Sequence, residues 1–395
     1  MRIGIIGCGV AGQAAAIALA HDGHDVCVVE RFESARPLGA GLLLQPSGLL
    51  ALDRLGVRGE AEAWGAPIRE LEGRTVEGRR VVDLRYADTE HGLGMHRGAL
   101  FSVLHEAMQK SGARLRLSFE VERIDDLVQP RLASRDGAEE GPFDLVLDCA
   151  GAHDAMRASL GMRVRAPLYP WGALWTTCPD RSGAFAGNLR QVYDRASTMI
   201  GILPVGRVPA SKFLGGHVAF FWSLKLAEFD AQRAAGLAAL KTRVVKAWPQ
   251  AEPIVAEIAR FEDLSLATYR DVTVRPWRMG RVLVMGDAAH ATSPQLGQGA
   301  NLALIDAIVL AHCLRQTGKV DAALENYERA RRAHIAYYQW SSWALTPAFQ
   351  SDGRIVSWLR DIFLSRVNIM PGGRYMTRTT LSGVRKLPWG IWRPP

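Results

Sequence analysis

The feature that most constrains the fold of this chain is a glycine motif between two apolar runs at the N-terminus. Residues 2–7 (RIGIIG) have the apolar, β-branched character of a strand buried on both faces, and Gly7, Gly9 and Gly12 form GxGxxG. An alanine-rich helical stretch follows, and residues 25–30 (DVCVVE) predict a second strand that ends in Glu30. This strand–turn–helix–strand order predicts an α/β domain that binds a dinucleotide.

Each glycine of the motif has a distinct physical role. Gly7 permits the tight turn after the strand, Gly9 lets the backbone approach a pyrophosphate, and Gly12 lets the helix pack close to the strand. Glu30 lies eighteen residues beyond Gly12, where its carboxylate can bind the hydroxyls of an adenosine ribose. The motif occurs once, so we expect a single dinucleotide domain.

A second glycine-rich stretch, residues 280–301 (GRVLVMGDAAHATSPQLGQGAN), predicts the other half of the same site. Residues 282–285 form a short buried-type strand, and Gly286 and Asp287 follow at its carboxyl end, where open α/β sheets place their ligands. A loop with Pro294, Gly297 and Gly299 leads into a helix that begins near Ala300. A carboxylate beside a helix N-terminus suits a ligand with a polyol chain and a developing negative charge.

The middle of the chain has a different periodicity. Residues 163–226 alternate between apolar and polar side chains, which predicts an antiparallel sheet able to hold a ligand on one face. We therefore predict three parts: a discontinuous dinucleotide-binding domain (residues 1–70, 96–162 and 275–330), a β-sheet substrate domain (residues 71–95 and 163–274) and a helical C-terminal segment (residues 331–395).

Nearly all of the net charge of +8 lies in the C-terminal segment. Residues 331–395 hold ten basic residues against Asp352 and Asp361, together with five tryptophans. We expect the tryptophans to pack on the body of the protein and the arginines to face water, with membrane contact as the less favoured alternative. The sequence contains no aromatic-basic motif of a nucleic-acid-binding module, so we expect no nucleic-acid partner.

The remaining composition is that of an ordinary soluble globular protein. The chain has no run of eighteen apolar residues, and its N-terminus enters a strand directly, so we expect neither a membrane span nor a signal peptide. The five cysteines are scattered and form no CxxC pair, which favours a reducing compartment and predicts neither a disulfide framework nor a metal site. We expect a cytoplasmic protein.

Three motifs together resemble one enzyme family. GxGxxG with Glu30-Arg31, then Arg97 in HRGALFSVL, then GDAAHATSPQLGQGAN resemble the class A FAD-dependent aromatic hydroxylases over roughly residues 1–330. This superfamily has the fold of p-hydroxybenzoate hydroxylase and includes salicylate, 6-hydroxynicotinate and ubiquinone-pathway hydroxylases. The resemblance implies a Rossmann-like α/β FAD-binding domain, an inserted, mostly antiparallel β-sheet substrate domain and a C-terminal helical layer.

The resemblance also implies which residues bind the cofactor FAD. It assigns the pyrophosphate to the first glycine turn, the adenosine ribose to Glu30, the adenine side to Arg31, the ribityl or phosphate portion to Arg97 and a ribityl hydroxyl to Asp287. The full implied set is Gly7, Gly9, Val10, Ala11, Gly12, Glu30, Arg31, Arg97, Gly286, Asp287, Pro294, Gly297, Gly299, Ala300 and Asn301.

The implied reaction is a monooxygenation. FAD is reduced by NAD(P)H as a transient reductant, and a flavin C4a-hydroperoxide transfers oxygen from O₂ to a small aromatic or heteroaromatic substrate. One motif departs from the family, because Ala150 and Asp154 replace the aspartate and serine of the DG motif, although Gly151 and Arg157 remain. This leaves open a flavin reduced by a separate reductase, or a non-enzymatic FAD-binding redox sensor. A homodimer is also left open.

Substrate-pocket residues are predicted from the sheet and from the loop that precedes it. Tyr193 is the first candidate for catalysis and His217 the second, while Gln45, Gln191, Trp222 and Pro294 are candidates for the pocket wall. For Tyr193 and His217, the alternative of an ordinary sheet residue stays open. The histidine that hydroxypyridine-active relatives carry just after GAG is absent, because residues 42–44 are leucines.

Two other flavoenzyme types of the same fold are less well supported. The WxWxIP motif of flavin-dependent halogenases is missing, and no lysine precedes Lys110, so a catalytic lysine in the first hundred residues is absent. The aromatic signature of isoprenoid-chain reductases is not visible either.

Overall fold

The computed structural model describes residues 1–35, 41–153, 156–367, 370, 372–388 and 390–395, without the side chains of residues 354, 363–365 and 367. Its α-helices are α1 Val10–His21, α2 Pro46–Arg54, α3 Arg58–Trp64, α4 Arg97–Lys110, α5 Met156–Ser159, α6 Phe229–Ala247, α7 Glu252–Ala256, α8 Asp287–His290, α9 Gly299–Thr317, α10 Val320–Phe349, α11 Arg354–Val367 and α12 Gly373–Leu381. Short 3₁₀ helices span Leu226–Glu228, Pro249–Ala251, Phe261–Asp263 and Pro294–Leu296.

The strands follow the chain through two large sheets and several small ones. They are β1 Arg2–Ile6, β2 Asp25–Val29, β3 Gly41–Leu44, β4 Ala66–Ile68, β5 Glu70–Thr75, β6 Arg80–Arg85, β7 Gly92–His96, β8 Arg114–Arg116, β9 Val121–Asp125, β10 Arg131–Ser134, β11 Glu139–Glu140, β12 Leu145–Asp148, β13 Arg163–Arg165, β14 Leu168–Pro179, β15 Asn188–Asp194, β16 Thr198–Gly206, β17 His217–Lys225, β18 Ser265–Arg270, β19 Thr273–Arg275, β20 Arg278–Met279, β21 Val282–Val284, β22 Arg385–Lys386 and β23 Gly390–Ile391.

The first large sheet carries the two glycine-rich stretches. Its order is β20-β21-β12-β1-β2-β8, and all pairs are parallel except the edge pair β20–β21. Helices α1, α4 and α9 pack together on it through a continuous apolar core, and the small antiparallel sheet of β9, β10 and β11 covers residues of its other face. The buried strands are nearly all apolar, as expected for strands covered on both faces.

The second large sheet is mostly antiparallel, in the order β18-β14-β17-β16-β15-β5-β6, with one parallel pair, β15–β5. One face packs against α6 and α7, with Leu240, Val244 and Trp248 in that core. The opposite face packs against a three-stranded sheet, β3-β7-β4, and the end of α10. The predicted fold, an FAD-type α/β domain with an inserted antiparallel sheet and a helical C-terminal layer, is therefore confirmed.

Two predicted domain boundaries differ from the arrangement of the elements. The boundary between residues 330 and 331 falls inside α10, which is one continuous helix from Val320 to Phe349. Strand β7, assigned from sequence to the substrate domain, pairs with β3 and β4 in the small connecting sheet. There Gly94 lies so close to β16 that a Cβ would approach the Pro204 carbonyl oxygen to 1.9 Å, which only glycine permits.

The C-terminal segment departs in part from the expectation for its charged and aromatic residues, because Arg366, Arg374 and Arg378 are exposed but other arginines are buried and two tryptophans face solvent. Arg331, Arg360 and Arg385 are buried, whereas Trp343 and Trp358 are 69% and 59% exposed. Arg331 binds Asp306 of α9 and Arg360 binds the Arg195 carbonyl oxygen, contacts that the local sequence does not reveal, whereas Arg385 binds Thr379 within the segment itself. Trp389 lies outside the described residues. Among the described helices, none is long and apolar enough to cross a bilayer.

Candidate functional site

The carboxyl ends of the parallel strands bring the predicted cofactor residues to one edge of the first sheet. Ile6, at the end of β1, pairs with Val29 of β2 and with Asp148 of β12, and Asp148 pairs with Val284 of β21. The chain segments that follow these strand ends therefore lie side by side. This is the edge at which open α/β sheets bind their ligands.

The first glycine turn has both the close approaches and the open space that a pyrophosphate site requires. Gly7 has φ +96°, and a Cβ there would lie 2.8 Å from the Cys149 carbonyl oxygen. A Cβ on Gly12 would lie 1.9 Å from the Gly7 carbonyl oxygen, so α1 can pack this closely only with glycine. A Cβ on Gly9, in contrast, would meet nothing within 4 Å. Helix α1, with Val10 and Ala11 in its first turn, thus points its amides toward open space, which favours an anion.

Glu30 lies beside this turn. Its carboxylate accepts hydrogen bonds from the Cys8 amide at 2.8 Å and from the Phe32 amide at 3.2 Å, which hold it next to the glycine loop. The neighbouring Arg31 is exposed, and its guanidinium lies 4.7 Å from the centre of the Phe32 ring. Both side chains therefore lie beyond the end of β2, on the side where the resemblance places the adenosine half of FAD.

The second glycine-rich stretch lies at the same carboxyl edge of the first sheet. Gly286 has φ +62°, and a Cβ there would lie 2.7 Å from the Ala11 Cβ, so this turn packs directly on α1. Asp287 is exposed, and its Oδ1 lies 3.7 Å from the Cβ position of Gly299 at the start of α9. The structure thus brings together Asp287, the helix N-terminus and the first glycine turn. Gly297, at φ +60° with open space around it, and Ala300 flank the same helix start.

A buried ionic network holds the Asp287 turn in place. Asp306 is fully buried, and its Oδ2 accepts hydrogen bonds from the Gly286 amide at 2.9 Å and from His290 Nε2 at 2.6 Å. Its Oδ1 accepts a hydrogen bond from Arg331 Nε at 2.7 Å. The pKa of Asp306 is well below its usual range, because the charges of His290 and Arg331 outweigh the effect of burial. His290 is therefore a structural member of the GDAAH motif.

The network continues to the end of the chain. Arg331 donates to Nδ1 of the buried His334, whose Nε2 lies 2.8 Å from the Gly383 carbonyl oxygen. The Trp392 ring lies against His334 at 4.4 Å between centres, with the two ring planes tilted by 35°. Burial and the adjacent Arg331 charge lower the pKa of His334 well below its usual value, so this imidazole is neutral. Sequence reasoning missed this connection, because its members lie far apart along the chain.

Asn301 secures the loop that follows β3. Its side chain is fully buried, accepts from the Gln45 amide at 2.8 Å and donates to the carbonyl oxygens of Leu43 and Gly297. Its polar atoms thus bind backbone, so Asn301 positions the loop between β3 and α2 against the start of α9. The resemblance includes Asn301 among the residues that bind FAD, and a direct contact stays a prediction.

Gln45 is buried at the same junction. Its Oε1 accepts from the Tyr86 hydroxyl, while its Nε2 has no hydrogen-bond partner. Ser47 Oγ and Gln298 Oε1, close by, are likewise buried without a partner. A buried polar atom without a partner costs about 1–3 kcal/mol, so each of these atoms indicates a place where a ligand or ordered water completes the hydrogen bonding.

An aromatic wall lies on the face of the second sheet that is turned toward the cofactor domain. Trp175 of β14 and Phe221 of β17 are directly opposite in register and stack at 4.7 Å. Phe221 lies flat over Gly201, where a Cβ would approach its ring to 1.9 Å. Trp175 Nε1 donates to the Tyr269 hydroxyl at 3.1 Å. Sequence reasoning missed Trp175 and Tyr269, although the alternation along β14 could have identified the former.

Tyr269 links this wall to the cofactor domain. Burial raises the pKa of Tyr269, while the hydrogen bond from Trp175 and the nearby Arg97 charge act in the opposite direction. Arg97 is exposed at the start of α4, and His96 caps that helix by accepting from the Gly98 amide at 3.0 Å. The predicted cofactor residue Arg97 and the aromatic wall therefore lie close together.

The predicted pocket residues of the second sheet fall into two groups. Tyr193 packs in one cluster with Trp175 and Phe221, and its hydroxyl donates to Gln191 Oε1 at 2.9 Å. Tyr193 is covered by Phe349 and Arg360, and burial raises its pKa, so the phenol stays protonated.

Trp222 is not in this group. Residues that alternate along β17 point to opposite faces, and Trp222 packs with Leu174 and Ile200 against α6, with Arg243 above its ring at 4.8 Å. Trp222 therefore lies on the opposite face of the sheet from Trp175 and Phe221, and its place in the substrate pocket stays a prediction. The sequence shows the alternation but not which face meets the cofactor domain.

His217 lies at the other end of β17. It is buried, its Nε2 lies 2.8 Å from Ser211 Oγ, and burial lowers its pKa. It lies four positions before Phe221, which is about 13 Å along a strand. The structure therefore does not bring His217 to the aromatic wall.

Pro294 lies in the loop that faces the start of α9. The preceding Ser293 amide donates to Asp271 Oδ1 at 3.0 Å, and its hydroxyl binds Ser342 and Thr346 of α10. Burial raises the pKa of Asp271. The loop is thus held from both sides, by the turn after β18 and by α10.

The altered DG motif has a structural role in this chain. Arg157 is buried and donates to the carbonyl oxygens of Ala288 and Ala152, so it braces α8. Gly151 has φ +88°, and Ala150 is exposed beside it. Asp154 lies outside the described residues. Within the described ranges, no group of three His, Cys, Asp or Glu side chains could hold a metal ion.

The residues present fit FAD. The open space at Gly9 suits a pyrophosphate, Glu30 and Asp287 are carboxylates placed to accept from sugar hydroxyls, and the N-terminus of α9 favours a negative charge on a flavin ring. Arg97, exposed at the start of α4, is a cation close to Tyr269.

Comparisons with known proteins agree with this geometry. Residues 1–339 match the family model described as FAD binding domain. The chain is 26% identical to aurachin C monooxygenase/isomerase of Stigmatella aurantiaca, over 90% of this chain and 92% of that protein. It is 30% identical to kynurenine 3-monooxygenase of Salinispora arenicola, over 84% of this chain and 76% of that protein.

A solved structure shows the same fold. HpxO of Klebsiella pneumoniae, complexed with FAD and uric acid, superposes with a TM-score of 0.79 at 21% identity, over 97% of this chain and 96% of that one. The predicted family, cofactor and enzyme class are thus confirmed, and the comparisons do not favour the alternatives of a redox sensor or an externally reduced flavoprotein. The chain belongs to the FAD-binding family of class A flavin hydroxylases and is an FAD-dependent monooxygenase.

Proposed function

We propose that this enzyme hydroxylates a small aromatic or heteroaromatic compound that lies against the Trp175–Phe221 wall, with NAD(P)H as the reductant. The observation that carries the proposal is the stacked aromatic pair, which Tyr269 joins to the Arg97 side of the cofactor domain. The related proteins support a planar substrate, because one acts on kynurenine and another was solved with uric acid. When bound, reduced FAD reacts with O₂ and supplies an electrophilic oxygen atom.

The residues of the chain position the ring and favour its electron-rich form. Trp175 and Phe221 offer a flat apolar surface that excludes water from one face of the substrate. The Tyr269 hydroxyl accepts from Trp175, which leaves its own proton to donate to a substrate oxygen. The Arg97 charge stabilises an ionised ring hydroxyl, because an opposite charge nearby favours the charged form.

Tyr193, His217 and Gln45 have supporting or unassigned roles in this proposal. Tyr193 stays a phenol and orients Gln191, whose side chain is partly exposed beside the wall. Gln45 Nε2 is a buried donor at the junction with the cofactor domain, so it is a candidate to bind a carbonyl oxygen of the bound ligands. His217 stays a prediction from sequence without a contact at the wall.

Anaerobic reduction of the purified yellow protein tests the proposal. We expect NADH or NADPH to bleach the flavin slowly alone and faster with one class among phenols, hydroxypyridines and aminobenzoyl compounds. With that compound, product formation in air should incorporate one oxygen atom from labelled O₂. If neither nucleotide bleaches the flavin with any of these compounds, the proposed reaction is wrong.

Two tryptophans of neighbouring strands provide a matched pair of variants. Trp175→Phe should raise the concentration of substrate needed for half-maximal bleaching by roughly tenfold, since a stacking and hydrogen-bonding partner is lost. Trp222→Phe makes the same chemical change on the opposite face and should leave that concentration unchanged. If both variants changed the concentration for half-maximal bleaching equally, the substrate would not bind against the Trp175–Phe221 wall.

A further inference from the structure

The C-terminal helices expose an unusual concentration of apolar side chains. Of the fourteen large hydrophobic residues that are exposed in the described chain, eight lie between residues 340 and 376: Trp340, Trp343, Ile355, Trp358, Leu359, Met370, Tyr375 and Met376. Exposed apolar residues are normally scattered singly over a protein surface, so a cluster of this size marks a contact surface.

Helix α11 has polar side chains on its buried face and apolar side chains on its exposed face. Its described inward positions are polar, because Ser357 and Arg360 are buried, and Arg360 donates to the Arg195 and Ala348 carbonyl oxygens. Its outward positions are apolar, with Ile355 73% exposed and Leu359 52% exposed. A helix at the surface of a soluble protein normally has the opposite arrangement. The outward face of α11 is therefore built to contact something other than water.

The three C-terminal helices form one layer. Helices α11 and α12 both pack against the edge strand β6, and α10 leads into α11 through a four-residue connection (residues 350–353). On α10, Trp340, Trp343 and Pro347 recur at the spacing of one exposed helix face. On α12, Arg374, Tyr375 and Arg378 are exposed.

The charge around these apolar side chains is positive. Residues 331–395 contain only two acids, and both are already paired: Asp352 with Lys225 at 2.6 Å and Asp361 with Arg360 at 2.7 Å. Arg366, Arg374 and Arg378 are exposed in the same layer. A surface with tryptophan, tyrosine and aliphatic side chains among arginines has the composition of a segment that lies in the interface of an anionic bilayer.

We propose that the layer formed by α11, α12 and the end of α10 docks on a membrane surface that contains anionic phospholipid. The arginines contact lipid phosphates, and Trp343, Ile355 and Trp358 insert at the level of the headgroups. A second copy of the chain suits the surface less well, because a two-fold contact would place one strongly basic segment against another. The contact is peripheral, and it is independent of the substrate proposed above.

Co-sedimentation of the flavin-loaded protein with vesicles tests this. We expect no sedimentation with vesicles of phosphatidylcholine alone, and sedimentation when phosphatidylglycerol replaces part of it. The affinity should fall steeply with salt. Tryptophan emission should shift to the blue on binding and be quenched by brominated acyl chains, since the rings enter the bilayer interface.

Matched variants distinguish vesicle binding through this layer from non-specific binding through other exposed apolar residues. Trp343→Ser with Trp358→Ser should weaken binding roughly tenfold or more, whereas Leu214→Ser, an exposed apolar residue outside the layer, should not change it. Arg374→Gln with Arg378→Gln should remove the preference for phosphatidylglycerol, and Arg233→Gln with Lys246→Gln, on exposed positions of α6, should retain it. Bound flavin and circular dichroism report whether each variant is folded.

Three outcomes would overturn the proposal. The first is the absence of binding to either kind of vesicle, with a monomer in solution. The second is a dimer that the tryptophan substitutions dissociate, which assigns the surface to a second copy. The third is vesicle binding that the tryptophan variants retain.

Discussion

At the residue scale, the structure separates exposed side chains at the predicted cofactor site from the buried ones that hold them in place. Asp287 is exposed beside the start of α9, whereas Asp306, nineteen positions later, is fully buried and binds the amide just before Asp287. A carboxylate that faces solvent can accept from a ligand, and a buried one that is fully paired cannot. Substitution of Asp287 should therefore affect ligand binding, whereas substitution of Asp306 should affect the stability of the turn.

Asp287→Ala should give a folded protein that is largely colourless. The substitution removes a charged acceptor for a ribityl hydroxyl, which is worth about 1.5–3 kcal/mol and corresponds to roughly ten- to hundredfold weaker binding of FAD. The measurement is the ratio of flavin to protein after purification, followed by titration of the apoprotein with FAD. Asp53→Ala, an exposed aspartate on α2, is the control. A yellow Asp287→Ala protein with unchanged affinity would rule out this contact.

His334 predicts a specific pH dependence of stability. Its pKa in the folded protein is well below 6.5, so below pH 6.5 the unfolded chain takes up a proton that the folded chain does not. Stability should therefore fall as the pH decreases from about 6.5, by about 1.4 kcal/mol per pH unit. Glutamine can also accept from Arg331 and donate to the Gly383 carbonyl, but it does not titrate.

Thermal unfolding of His334→Gln between pH 5 and 7.5 tests this prediction. Relative to the wild type, the variant should lose less stability on acidification, which corresponds to a difference in Tm of about 2 °C or more per pH unit below 6.5. His21→Gln, at an exposed position on α1, should follow the wild type. Parallel pH profiles for all three proteins would show that His334 is not the group responsible.

At the scale of the element, the first glycine turn distinguishes packing from ligand space. A Cβ on Gly12 would lie 1.9 Å from a carbonyl oxygen, whereas a Cβ on Gly9 would meet nothing within 4 Å. Gly9 also has φ −80° and ψ −170°, a conformation open to any residue. Gly12→Ala should thus destabilise the protein by roughly 1–3 kcal/mol. Gly9→Ala should leave the stability of the apoprotein unchanged. It should weaken the binding of FAD, because the added methyl group occupies the space where we expect the pyrophosphate.

Unfolding of the two apoproteins in urea, and their titration with FAD, measure these effects separately. The expected pattern is a lower midpoint for Gly12→Ala alone and a higher Kd for FAD in Gly9→Ala. A Gly9→Ala protein that binds FAD as tightly as the wild type would mean that the pyrophosphate does not approach this turn.

The elements themselves were largely predictable from sequence, because each rests on a local pattern. The apolar run and glycine turn at Gly7 predicted β1 and α1, and the run before Gly286 predicted β21. The alternation along a strand gives two faces but does not say which one meets the cofactor domain, so the sequence could not tell the face of Trp222 from that of Phe221. Tyr269 lies on a short edge strand with no motif, and its importance follows only from the Trp175 indole across the sheet.

At the scale of the whole molecule, the end of the chain packs on the cofactor domain although it contains none of that domain's motifs. Gln298 Nε2 donates to the Leu381 carbonyl oxygen at 3.0 Å, and the Ser47 amide donates to the Ser382 carbonyl oxygen at 3.1 Å. The end of the chain thus covers the starts of both α2 and α9. No local pattern in the sequence predicts this, because the pairing depends on residues more than eighty positions apart in each case.

Truncation at the predicted boundary, residue 330, tests whether the cofactor domain depends on the C-terminal segment. A fragment of residues 1–330 keeps both glycine-rich stretches and Asp287, but it loses Arg331 and leaves the buried Asp306 carboxylate without that partner. Removing one member of a buried ion pair typically costs about 3–5 kcal/mol. We therefore expect the fragment to be insoluble or colourless. The full-length variant Arg331→Met should behave similarly without any truncation, because it removes the same charge while α10 stays complete.

Arg331→Lys separates the loss of the positive charge from the loss of the hydrogen bonds that the guanidinium group makes. Lysine retains the positive charge but cannot donate at once to Asp306, His334 and the Leu302 carbonyl oxygen, which Arg331 contacts through three different nitrogens. Flavin content should thus fall in the order wild type, Arg331→Lys, Arg331→Met. A soluble, yellow fragment of residues 1–330 would show instead that the Asp287 turn forms without the C-terminal segment, and that the buried network contributes little to holding FAD.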